Sequence, residues 1–209
     1  MSDKTSIEWT DSTWNPIRGT KGKWHCVRVS EGCRACYAAA MNHRFKGPDY
    51  VKGADTPRLD EKALLEPLKW KRPRRIFACS MTDLFMEEHS DEMIDRVFAV
   101  MALAPHHTFQ VLTKRAKRMR EYFGATRLEA VGATVFRLLL KDTQELRKVD
   151  TAARAACRVW PLPNVWLGVS CENQERADER IPDLLATPAA VRFISCEPLL
   201  GPVDLSRWL

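Results

Sequence analysis

The strongest constraint on the fold of this chain is a set of short runs that are almost unbroken in apolar and β-branched side chains: Ile76-Phe77-Ala78, Phe109-Gln110-Val111-Leu112, Val165-Trp166-Leu167-Gly168-Val169 and Val191-Arg192-Phe193-Ile194. A strand with one face in water alternates apolar and polar residues, whereas a strand covered on both faces reads as a continuous apolar run. Stretches of helical character separate these runs, which is the alternation of parallel strands joined by helical crossovers. Five strands are expected, at Ser6–Thr10, Arg75–Ser80, Thr108–Leu112, Asn164–Ser170 and Val191–Ser195. The segment Asp91–Ala104 carries Met93, Ile94, Val97, Phe98, Val100 and Met101 on one helical stripe, with Ser90 placed to cap it. Further helices are expected in the basic segment up to Phe123 and over Gln174–Ala186. Residues 124–163 break the rhythm, with Leu128, Val131, Val135 and Leu138 to Leu140, then a charged, Ala-rich stretch, then Pro161 and Pro163. They are read as a helical insertion, a crossover enlarged by a helical hairpin, within a single α/β domain over 1–209.

The chain of 209 residues, 45% hydrophobic, is long enough to bury one sizeable core. It has no run of about 18 apolar residues, and its polar start, MSDKTSIEWT, is unlike a secretory leader. A cytoplasmic location without a membrane partner is therefore expected. Seven cysteines are an odd number, and in a reducing compartment clustered cysteines point to metal or redox chemistry rather than to a disulfide framework. Cys79, Cys157, Cys171 and Cys196 are scattered and are expected to be small buried hydrophobes. The net charge of +6 resides largely in two runs, Lys69–Arg75 and Lys114–Arg120, which suit a phosphate backbone or a solvated face. The sequence contains no glycine-rich phosphate loop, nucleophile elbow, zinc-protease helix motif or dinucleotide fingerprint.

Chemistry concentrates in two places. Polar residues follow each expected strand after the first: Ser80 and Asp83, Thr113 and Lys114, Ser170 with Glu172 and Asn173, Ser195 and Glu197. In parallel α/β folds the working groups stand at the carboxyl ends of strands. Asp83, Glu172 and Glu197 are candidates for ribose or amino-group contacts, and Thr113, Lys114 and Arg115 for a phosphate or carboxylate. The other place is Cys26-x6-Cys33-x2-Cys36, followed at once by Tyr37. Three thiolates that close in sequence can meet one centre and leave one coordination position open. Three readings stand: a structural zinc completed by His25 or His43, unligated structural cysteines, or a [4Fe-4S] cluster with S-adenosylmethionine on its fourth iron. Trp9, Trp14 and Trp24 flank this loop and are expected to pack it away from water.

The segments TSIEWTDSTWNP, GCRACYAAAMNHRF, FACSMTDLF, FQVLTKR, NVWLGVSCEN and FISCEPLLGPVDL resemble the phage- and bacterium-associated three-Cys-motif family, whose members occur beside a three-Cys-motif partner protein. That family's cysteine motif is in turn similar to that of radical S-adenosylmethionine enzymes of the spore-photoproduct-lyase-like branch. The resemblance implies a partial, open (βα)6-type barrel with about five of six βα units, the cluster loop following the first strand, and Cys26, Cys33 and Cys36 as iron ligands. It implies reductive cleavage of S-adenosylmethionine, with cofactor contacts at Asp83, Thr113, Lys114, Glu172 and Glu197, and a substrate that includes nucleic acid among its candidates. The related sequences continue into a further strand, so the resemblance also implies a shortened C-terminal region here. A phage-associated nucleic-acid-binding or processing module with a structural zinc is the alternative.

Overall fold

The computed structural model describes residues 5–19, 23–45, 47, 50, 56–124, 127–139 and 159–208. In chain order these form β1 (Ser12–Trp14), β2 (Ile17–Arg18), a 3-10 turn at Glu31–Ala35, α1 (Tyr37–Arg44), β3 (Arg58–Leu59), α2 (Glu61–Leu64), a 3-10 turn at Glu66–Lys69 and β4 (Arg75–Ala78). They continue with α3 (Asp91–Leu103), β5 (Thr108–Thr113), α4 (Ala116–Tyr122), α5 (Arg127–Leu139), β6 (Val165–Ser170), α6 (Gln174–Ala186) and β7 (Val191–Ser195).

Five strands make one parallel sheet in the order β1-β4-β5-β6-β7, and β2 pairs with β3 in a small antiparallel ribbon. Because each strand of the large sheet lies beside its predecessor and crossovers of this kind are right-handed, the connecting helices all fall on one face. Register decides which residues they cover. Ile76, Phe109 and Val165 stand side by side, as do Ala78, Val111 and Leu167, and all six are buried in the main core with the inner stripes of α3, α4 and α6. The helix caps follow local chemistry. Ser90 accepts from the Met93 amide at 3.3 Å and Asn173 from the Arg176 amide at 3.0 Å, each satisfying a first-turn donor.

The opposite face carries Phe77, Gln110, Leu112, Gly168 and Phe193, and is closed by the N-terminal segment rather than by helices. Trp9 lies against Phe77 at 4.7 Å and Phe193 at 6.2 Å between ring centroids, and its carbonyl accepts from Gln110 Nε2 at 3.3 Å. Among the described residues β1 and β7 do not pair with each other, so the sheet is a partial, open barrel-like α/β fold.

The expectation for the first strand needs correction. Ser6–Thr10 forms a turn across the inner face, and the strand is Ser12–Trp14, within a stretch read as loop. A three-residue edge strand is too short to carry a pattern of its own. Its placement comes from long-range partners: the Asp11 carboxylate accepts from the Arg75 amide at 2.7 Å, and the Cys79 amide donates to the Trp14 carbonyl at 2.7 Å. Trp14 is likewise not a cover for the cysteine loop. It is fully buried in the main core and donates from Nε1 to the Ala63 carbonyl at 2.8 Å. In the inserted region α5 packs on α3, whereas the second half of the expected hairpin, with Cys157, lies outside the described residues.

Candidate functional site

Strand β4 ends at Ala78, and the next residue, Cys79, adopts a positive φ of 59°. A side chain with a Cβ enters this region only at a cost of about 1–2 kcal/mol, so the surrounding bonds must hold it. The turn sends Ser80, Met81, Thr82 and Asp83 across the carboxyl ends of the strands. Asn15 fastens it from β1's side, accepting from the Met81 amide at 2.8 Å and donating from Nδ2 to Ser80 Oγ at 3.0 Å.

The loop bearing Cys26, Cys33 and Cys36 is tied to three strand ends in succession. Arg115, just past β5, donates from Nη2 to the Val27 carbonyl at 2.9 Å while ion-pairing with Asp83 at 3.2 Å and Glu87 at 2.9 Å. Past β6, Glu172 accepts from the Ser30 hydroxyl and pairs with Arg180 at 2.8 Å, and Asn173 donates to Glu31 Oε1 at 2.6 Å. Past β4, the Ser80 carbonyl accepts from the Tyr37 hydroxyl at 2.8 Å, and the Met81 carbonyl from that of Tyr50 at 2.6 Å. Gly32 is required for this closeness, since a Cβ there would stand 3.0 Å from the Glu172 carboxyl group.

The result is a cavity of about 540 Å³ at the mouth of the sheet, lined by all three cysteines, and by Cys79, Tyr37 and Tyr50. Its size lies within the range of small-ligand pockets, roughly 300–1,000 Å³. Trp9, Phe77, Leu112 and Met81 form apolar walls; Ser170, Ser195 and Glu197 add polar groups on the rim. Burial pushes the Cys26 thiol up to about 12, with the Asp83 charge adding to the effect. A thiol in that setting becomes a thiolate by exchanging its proton for a metal, not by titration at neutral pH.

The sequence-expected residues separate by how many of their atoms are already engaged. Asp83 accepts from Thr113 Oγ1 at 2.7 Å, the Phe85 amide at 3.0 Å, the Lys114 amide at 2.9 Å and Arg115 Nη1 at 3.2 Å. That fills the four lone-pair sites of a carboxylate. Thr113 both donates to Asp83 and accepts from the Arg115 amide at 2.9 Å. Glu172 is wholly buried beneath the loop, its two oxygens taken by Ser30 and Arg180. These three residues and Arg115 organise the mouth. Lys114 and Glu197 line the same cavity with side chains that make no hydrogen bond or ion pair among the described residues, and so present free charges to a ligand.

Among the described residues no group of three or more His, Cys, Asp or Glu side chains converges on one ion-sized point. His43 lies on the far face of α1 in a second cavity, away from Cys26 and Cys33. Ligands of one zinc ion share a single tetrahedral point, whereas thiolates of a cubane bind separate irons and stand farther apart. Three thiols lining one ligand-sized cavity are the donor set a cubane with one open iron would need. The expected basic runs are largely engaged internally: Arg75 pairs with Asp11, Arg118 with Asp91 and Arg120 with Asp183, and Arg74 lies over the Trp70 ring. Spacing did not reveal Cys79, whose place at the mouth depends on strand register, or Asn15 and Tyr50, whose partners lie 31 to 66 residues away.

A family model described as a protein of unknown function, DUF5131, matches residues 4–209. No curated protein and no solved structure matches the chain.

Proposed function

We propose that this chain, which belongs to the DUF5131 family of proteins of unknown function, is an iron–sulfur protein of the radical S-adenosylmethionine type, with Cys26, Cys33 and Cys36 holding a [4Fe-4S] cluster. The observation that carries the reading is the meeting of all three thiols around one ligand-sized cavity at the carboxyl ends of parallel strands. When bound, such a cluster with S-adenosylmethionine on its open iron supplies reductive cleavage of the sulfonium to methionine and a 5′-deoxyadenosyl radical.

An external one-electron donor would reduce the cluster, and binding, orientation and exclusion of water would fall to the chain's own residues. Arg115, Glu172 and Tyr37 fix the loop, so the three sulfurs stay in place before anything binds. Lys114 offers an ammonium to a carboxylate, and Glu197 a carboxylate to an ammonium or a ribose hydroxyl. Trp9, Phe77, Leu112 and Met81 exclude water, which protects a reactive carbon radical and strengthens those charge contacts. Radical chemistry on an unknown substrate is the reading these features support; among the described residues no group of three His, Cys, Asp or Glu side chains converges on one ion.

The test is anaerobic reconstitution with iron and sulfide. About four irons per chain, with a broad visible absorption that is lost in Cys33→Ala, is the expected result. Addition of S-adenosylmethionine and dithionite should then release 5′-deoxyadenosine. Stoichiometric zinc with no iron uptake would overturn the reading.

A further inference from the structure

A second cavity, of about 480 Å³, opens on the other side of the cysteine loop and shares Cys36, Tyr37 and Tyr50 with the first. Its floor is one face of α1, where Ala39 and Ala40 leave room, and its rim carries Arg28, Arg34 and His43. Among the described residues no carboxylate lines it, and neither arginine pairs with one. Many arginines elsewhere, among them Arg75, Arg96, Arg115, Arg118, Arg120, Arg127, Arg176, Arg180 and Arg207, stand within 4 Å of an Asp or Glu oxygen, whereas Arg28, Arg34 and His43 are exposed around one concavity. Two guanidinium forks and an imidazole around one concavity, with no carboxylate beside them among the described residues, suit a compact oxyanion. Paired N–H donors of arginine match the oxygens of a phosphate.

We infer that this cavity seats a phosphate group of the substrate, whose reacting part passes Tyr37 and Tyr50 into the thiol-lined cavity. The inference deepens the radical reading above and rests on the first cavity being the reaction chamber. The shared chemistry is a phosphate ester, and its source is either a small nucleotide or the backbone of a single nucleic-acid strand.

The experiment measures binding of two probes to the full chain as purified, before any iron is added. One is a 5′-mononucleotide and the other a fluorescein-labelled single-stranded oligonucleotide, each titrated against the wild type, the double variant Arg28→Gln/Arg34→Gln and a control, Arg75→Gln/Arg120→Gln. The expected result is a weakening of at least about tenfold in the first double variant and little change in the control. For the strand, the slope of log K against log salt should fall by about 0.7 per lost contact. Loss with both probes assigns a small phosphate; loss with the oligonucleotide alone assigns the backbone. Absence of binding by the wild type, or equal binding by both double variants, overturns the inference. Iron loading is read separately on the same proteins. A wild type that binds phosphate but takes up no iron would end the cluster reading and leave this site standing, whereas normal iron uptake without phosphate binding would do the reverse.

Discussion

Replacing Glu172 by Gln should be among the most destabilising single changes near the mouth, although it preserves shape. The side chains of Glu172 and Arg180 are 0% and 3% exposed, and their N···O distance is 2.8 Å. At an effective dielectric constant of about 20 the attraction at that separation is roughly 6 kcal/mol before desolvation is subtracted. Neutralising one partner leaves the guanidinium buried with the Ser170 carbonyl as its other acceptor, at 2.8 Å, and with its Nε unpartnered. Breaking a buried pair in this way costs about 3–5 kcal/mol, a large part of a domain stability of roughly 5–15 kcal/mol. Denaturant melts followed by tryptophan fluorescence should show the loss, and the double variant Glu172→Leu/Arg180→Met should recover most of it, because no uncompensated charge remains. The pH dependence carries the same signature. Burial disfavours the charged carboxylate, but the Ser30 hydroxyl and the Arg180 guanidinium outweigh it and hold the Glu172 carboxyl below its usual range. The pair's contribution is therefore complete above the ordinary glutamate value of about 4.3 and is lost as pH falls through the lower folded value. The acid limb should flatten in Glu172→Gln. A loss below about 1 kcal/mol, the range of solvent-screened pairs, would refute the reasoning.

Gly168→Ala should cost about 1–3 kcal/mol, since the added Cβ would stand 2.6 Å from the Phe193 ring on the neighbouring strand, and Phe193→Ala in the same chain should relieve part of that cost; thermal melts of the three variants check it. His107 is buried, with its Nε2 near the Pro67 carbonyl at 3.1 Å, and burial, followed by the neighbouring His106, brings its pKa down to about 4. The unfolded chain therefore binds a proton there first, so stability should fall as pH drops from about 6.5 toward that value. His107→Phe should remove this slope, as read from melts across the range.

The elements legible from sequence were those with a repeating pattern long enough to need no partner for recognition. Helix α6 and strand β7 begin and end at the residues expected from the sequence, and Ser90 caps α3 as its position implies. Strand β1 was displaced by six residues, from a start at Ser6 to one at Ser12, because three residues carry no period and only hydrogen bonds to β4 define it. The site divides similarly. Cysteine spacing alone marks Cys26, Cys33 and Cys36, but whether a carboxylate beside them is a ligand or a brace depends on how many donors already meet it. Asp83, with four donors, and Glu197, with none among the described residues, look alike in the sequence.

The same division applies to charge. Arg115, Arg118 and Arg120 form a dense basic run, yet each pairs with a carboxylate supplied from elsewhere in the chain. Arg28 and Arg34 attract no notice in the sequence and, among the described residues, stand around one concavity with no carboxylate partner. Residue type and local period therefore determined the strand-and-helix alternation, the buried faces and the thiol trio, because these depend on neighbours within a few positions. Tertiary structure alone decided which polar groups are satisfied, since a hydrogen bond or ion pair is completed by whichever segment the fold brings within about 3 Å, and chain separation carries no record of that.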